Sequence, residues 1–225
     1  AAVTATSSTI GPVIPPSIPF IIYGVLGEVS IASLFLAGFV RGLLLGLFQM
    51  GVVGYYSHKY QYPKGSLPSL RESIKVSADA ALVLMLPVII LGGILTGIFT
   101  PTEAAVVAVF YSLFVAVVIY RTVTWRDMIR MLVDASVTSS VIMFIVVFAG
   151  IFTWAASVVG VIDKAANFII SISPNAVVMI ILINLLLLGL GMILDAISIS
   201  YLIMPILIPV LAAFKIDPLW YGVIF

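Results

Sequence analysis

Apolar residues run along this chain in long blocks, separated by short clusters of proline, glycine, hydroxyl and charged residues. A membrane-crossing helix needs about 20 consecutive apolar residues. The blocks predict helices over residues 30–57, 77–98, 102–120 and 128–158, and a short amphipathic piece over 162–172. Two further blocks do not read as simple spans. Residues 1–27 are interrupted by Gly11-Pro12-Val13-Ile14-Pro15-Pro16-Ser17, and 174–213 by Gly189-Leu190-Gly191 through Asp195.

Both interruptions have a physical meaning. Each proline removes a backbone N–H and clashes with the preceding turn, so three in seven residues end a helix. Broken backbone at membrane depth is tolerated where it is buried in protein or lines a wet cavity, and it frees carbonyls that can bind a cation. The hydroxyl run Thr6, Ser7, Ser8 and Thr9 leads into this break. Such side chains either bond their own helix carbonyls or face a polar cavity. In the second block the two arms are each about 15 residues, or roughly 22 Å, short for a 30 Å core. They predict a re-entrant hairpin over 173–214 with Asp195 at its tip; two short complete spans are the alternative. A lone carboxylate there should meet a cation, a helix N-terminus or water. It can also cap the second arm through the N–H groups of Ile197 or Ser198.

Composition turns these blocks into a class. The 225 residues are 63% hydrophobic and 8% charged, with mean hydropathy +1.33, against roughly 25% charged in soluble domains. The expected fold is an all-α integral membrane protein, a polytopic helical bundle with a broken helix and a re-entrant hairpin. Lys59, Lys64, Arg71 and Lys75 mark one cytoplasmic loop, and Arg121, Arg126 and Arg130 a second, with two crossings between them. Pro63, Gly65 and Pro68 predict a loop, and Ser69 to Asp79 a short interfacial helix. Thr100, Pro101 and Glu103 have the spacing of a helix cap. Arg41 lies inside a span beside Gly38 and Gly42, where it can snorkel. Ala1 to Ala5 reads as helix interior and Trp220 to Phe225 as the start of another span, so the sequence reads as a fragment.

The same features exclude other functions. With no cysteine, disulfides and thiolate metal sites are out. No Lys/Arg run suggests nucleic acid. An intramembrane protease would want paired acids or a serine–histidine arrangement, but His58 is at a helix end and Asp195 has no second carboxylate near it in sequence. A channel would show a filter sequence. Interrupted helices at the midplane are instead typical of secondary transporters built from inverted repeats.

The motifs GPVIPPS at 11–17, Tyr23-Gly24, Ser33-Leu34-Phe35-Leu36-Ala37-Gly38, the GIFTPTEA stretch at 97–104 and Leu194-Asp195 with Pro205 and Pro209 resemble, in order, the large membrane subunit of TRAP (tripartite ATP-independent periplasmic) transporters. The resemblance implies an inverted-repeat, elevator-type ion transporter of the bacterial inner membrane. It implies uptake of an organic anion, of the sialic acid or C4-dicarboxylate class, driven by Na⁺. Implied partners are a small membrane subunit and a periplasmic substrate-binding protein. Residues 1–27 would hold the broken helix of the first repeat, 28–76 a scaffold helix and cytoplasmic loop, 77–172 the helices and arm of the second repeat, 173–214 its hairpin, and 215–225 the start of the next span. Carbonyls around Gly11, Ile14 and Pro16 would serve one Na⁺ site, and Gly191 and Asp195 another. Ser7, Ser8, Thr9 and Ser17 would line the substrate cavity. Arg41 departs from the pattern, which has proline there.

Overall fold

The computed structural model describes residues 2–61 and 69–225. Among these the chain is helical, in the order α1 Ala2–Ser8, α2 Ile18–Leu26, α3 Ile31–Lys59, α4 Leu70–Leu95, α5 Pro101–Phe114, a π-helical turn Val115–Ile119, α6 Trp125–Val158, α7 Val161–Ile172, α8 Ala176–Gly191, α9 Ala196–Ala213 and α10 Pro218–Ile224. Of these, α3, α5 with its π turn, α6 and α9 are long and apolar enough to cross a membrane. The chain forms two compact units: residues up to Ser17 with Phe35–Thr124, and Ile18–Leu34 with Trp125–Phe225.

In the first unit, α4 packs on α5. The Tyr111 hydroxyl on α5 donates to the Leu82 carbonyl at 2.6 Å. The connection between them is tight because Gly93 has no Cβ, and the Phe99 ring occupies the place where one would be. Gly97 turns the chain with φ +73°, a left-handed geometry that glycine adopts without penalty. Helix α5 then starts on a reciprocal cap: Glu103 N–H donates to Thr100 Oγ1 at 3.3 Å, and Thr100 N–H donates to the Glu103 carboxylate at 2.8 Å. Its last turn widens, with Tyr120 N–H reaching the Val115 carbonyl at 2.9 Å.

Helix α4 corrects one expectation. The separate interfacial helix over Ser69 to Asp79 is the first part of one continuous α4. The same reciprocal cap explains it, with Ser69 and Glu72 bonding each other's backbone N–H groups. The loop expected at Pro63, Gly65 and Pro68 lies outside the described residues.

In the second unit α9 is the hub, with α2, α6 and α7 packed around it. Its buried residues Ile199, Ile203, Met204, Leu207, Val210 and Leu211 recur every three or four positions, the period of one helix face. Helix α2 adds Phe20 and Tyr23 to this core. The Tyr23 hydroxyl donates to the Pro218 carbonyl at 2.7 Å, and its ring lies 5.2 Å from that of Phe225. Gly222 of α10 is in contact with the Tyr23 ring, leaving no room for a Cβ. Helix α6 is the opposite case: none of its 34 residues is buried. At 1.5 Å per residue it is about 51 Å long, an apolar rod of the kind that lipid, rather than water, accommodates.

Candidate functional site

The first interruption lies in the first unit. Helix α1 ends at Ser8 and no helix resumes before Ile18, as the prolines predict. The chain is not slack between them. Ile10 N–H bonds the Ser7 carbonyl at 3.1 Å, Gly11 N–H the Ser8 carbonyl at 3.3 Å, and Val13 and Ile14 N–H the Ile10 carbonyl at 3.0 and 2.9 Å. The Ser17 hydroxyl is buried and donates to the Pro12 carbonyl, and the Pro15–Pro16 bond is cis. Within the break, the acceptors of these bonds are Ser7, Ser8, Ile10 and Pro12. Gly11, Ile14 and Pro16, whose carbonyls are the expected ion ligands, are exposed residues and are not among these acceptors.

Two contacts seat this segment on α3. The Ile14 side chain lies against Gly42, where a Cβ would collide with it, and Gln49 Nε2 donates to the Thr6 carbonyl at 2.9 Å. Positions 14 and 6 thus meet 42 and 49, so the break runs antiparallel along α3. The hydroxyls expected in a substrate cavity make local bonds. Ser7, Ser8 and Thr9 donate to the carbonyls of Thr4, Ala5 and Thr6, at 3.1, 2.8 and 2.7 Å. Each closes on its own helix, and only the oxygen lone pairs remain for a ligand. Ser17 is used inside the break rather than on its exposed side.

The second interruption lies in the second unit. Helix α8 starts at Ala176, two residues after Pro174, because the Asn175 side chain caps it through Val177 N–H at 2.9 Å. It ends at Gly191, and Asp195 caps α9. Asp195 Oδ2 accepts the N–H groups of Ile197 and Ser198 at 3.0 and 3.2 Å, and Oδ1 accepts the Ser198 hydroxyl. An ionised carboxylate offers about four lone-pair sites. Three donors therefore leave it able to take one more positive partner from its exposed side. Arms of 16 and 18 residues measure about 24 and 27 Å, so α9 is longer than the sequence pattern suggested.

Beneath this turn is a cavity of about 210 Å³, lined by Gly191, Ala196, Ile199 and Ser200 with Phe20 and Tyr23 of α2. Gly191 is thus brought to a cavity wall, and Asp195 stands next to Ala196 in sequence. The donor set at both interruptions is oxygen alone: carbonyl, hydroxyl and one carboxylate. Among the described residues no three His, Cys, Asp or Glu side chains gather as a metal cluster. That chemistry suits a weakly held alkali cation, which carbonyls and a single carboxylate can bind, better than a transition metal. Sequence reasoning missed the seat of the break on Gly42 and the role of α2 beside the capped turn; both depend on which helices pack together.

With the geometry in view, the relatives can be compared. The sequence matches the family model described as "Tripartite ATP-independent periplasmic transporter, DctM component" over residues 1–225. The chain belongs to this DctM family. It is 40% identical over 98% of its length to the sialic acid TRAP transporter large permease protein SiaM of Vibrio cholerae, covering 52% of that protein. It is 35% identical over its whole length to the 2,3-diketo-L-gulonate TRAP transporter large permease protein YiaN of Escherichia coli, covering 53%. It is 32% identical over 99% of its length to the C4-dicarboxylate TRAP transporter large permease protein DctM of Rhodobacter capsulatus, covering 54%. The chain thus spans about half the length of these relatives. As a DctM-family chain with several helices long and apolar enough to cross a membrane, it is a multi-pass protein of the bacterial inner membrane.

Proposed function

We propose that this chain carries half of the machinery for Na⁺-coupled uptake of an organic anion by an elevator mechanism. The observation that supports this most is the match to the DctM family over every residue, in a chain that also has a helix break and a capped carboxylate turn. The substrate is a carboxylate of the sialic acid or C4-dicarboxylate class, the chemistry named for SiaM and DctM among the relatives. The chain works with a small membrane subunit and receives the anion from a periplasmic binding protein, the other parts of a tripartite system.

Na⁺ is cargo as well as driver. Asp195 and the carbonyl at Gly191 offer oxygens to one ion, and the carbonyls of Gly11, Ile14 and Pro16 to another. Each set is one side of a site. The negative charge of Asp195 draws the ion in, while the N–H groups of Ile197 and Ser198 hold the carboxylate in place and spare it rotational freedom. In this reading α3 moves with the break rather than framing it as part of a 28–76 scaffold, because Ile14 and Gln49 join the two.

The test is transport by the full-length subunit, reconstituted with its small subunit and binding protein in proteoliposomes. Uptake of labelled sialic acid or of a C4-dicarboxylate should follow an inward Na⁺ gradient and stop when K⁺ replaces Na⁺. Equal uptake in the two salts would overturn the coupling.

A further inference from the structure

Helix α9 contains two prolines, Pro205 and Pro209. A helical proline cannot donate to the carbonyl four residues earlier, so the Tyr201 carbonyl loses its helical donor to Pro205. A buried carbonyl left without a partner is costly, and native structures pair nearly all of them. Here the partner comes from another helix. Thr153 Oγ1 of α6 donates to the Tyr201 carbonyl at 3.3 Å in a half-buried position.

Three other α6 hydroxyls are used differently. Ser136, Thr138 and Ser140 each bond their own helix, donating to the carbonyls of Leu132, Asp134 and Ser136 at 2.7, 2.9 and 2.8 Å. Thr153 departs from that local habit at the place where α9 lacks a donor. Thr153, Ser157, Tyr201, Pro205 and Pro209 also line one groove of about 570 Å³, so the proline face of α9 is turned towards the hydroxyl face of α6.

We propose that Thr153 is a positioning residue: it completes the hydrogen-bond ladder of α9 from outside and so forms a detachable tie between α6 and α9. Were the donor on α9 itself, that helix would be complete and bound to nothing by this bond. With the donor on α6, α9 can part from α6 without breaking any of its own i to i−4 bonds. The tie lies about 1.7 turns beyond the Asp195 cap, so it fixes the helix that carries that carboxylate.

The experiment is hydrogen–deuterium exchange on the purified full-length protein in nanodiscs, read over the peptides spanning Tyr201 to Pro209. Thr153→Val should speed exchange there about fivefold, the size expected for one lost hydrogen bond. Thr153→Ser, which keeps the hydroxyl, should match the parent. Pro205→Ala restores the helical N–H, so adding Thr153→Val to Pro205→Ala should change exchange little. Unchanged exchange in Thr153→Val, or the same acceleration with and without Pro205→Ala, overturns the tie. None of these readings depends on which ion or anion is transported.

Discussion

The side chain of Ile14 rests on the bare Cα of Gly42, and a Cβ at position 42 would strike Ile14 Cγ1. At this point the proline-rich break is held by a missing side chain on α3, alongside the Gln49–Thr6 hydrogen bond further along that helix. Gly42→Val should push the break off α3 at a cost of about 1–3 kcal/mol, the usual size for overpacking. Thermal unfolding of the purified subunit would show the loss. Ile14→Ala in the same background should recover part of it, and no recovery would mean that the two residues do not meet.

Asp195 combines a cap and a charge, and these can be separated. Asparagine caps about as well as aspartate, whereas alanine costs about 1 kcal/mol at such a position. Asp195→Asn should leave thermal stability within experimental spread and abolish Na⁺-driven uptake. Asp195→Ala should lose both. If Asp195→Asn transports with the parent's Na⁺ dependence, the charge has no part in ion handling.

Glu72 gives a pH prediction outside the apolar spans. Donation from the Ser69 backbone and hydroxyl holds its carboxyl below the usual carboxylate range. Its contribution to the start of α4 is therefore present above the unfolded value and is lost as pH falls through the lower, folded one. In a carboxyl-carbon NMR titration Glu72 should titrate at lower pH than an uncapped glutamate peptide. Ser69→Ala should bring it back up; coincident midpoints in parent and variant would refute the assignment.

The path of 173–214 through the membrane can be read by labelling, since the chain has no native cysteine. Cysteines placed at Pro174 and Lys215 should both react with an impermeant reagent from the periplasmic side if α8 and α9 form a re-entrant hairpin. Labelling from opposite faces would instead mean an odd number of crossings between them. The length of α9, 18 residues, makes opposite-face labelling a concrete alternative, because that helix is long enough to cross by itself; same-face labelling fits the hairpin and two complete spans alike.

What could be read from the sequence follows from the range of each interaction. The prolines of the break, the Thr100–Glu103 cap and the Asp195 cap act within a few residues, and their spacing alone announces them. Ser69 and Glu72 carry the same signature, but the polar residues around them suggested a short interfacial helix to Asp79 rather than the start of one long helix. The hydroxyls of Ser7, Ser8 and Thr9 were legible as a group, though not in orientation, because closing on the helix and facing a cavity need the same residues. Ile14 on Gly42 and Thr153 on Tyr201 join positions 28 and 48 residues apart. No local pattern encodes such a meeting; it follows from how whole helices pack.

Tyr23 and Pro218 make a similar link over a much longer reach, 195 residues. A ribosome adding about 5–20 residues per second needs roughly 10 to 40 s to cover that interval. For most of it, α2 has been made with neither α9 nor α10 yet present, and the face it turns to them lacks its partners. Assembly of this unit is thus timed by synthesis of α9 and α10, and a chain stopped before α9 would hold α2 as an unclaimed segment, open to insertion errors and to quality-control proteases.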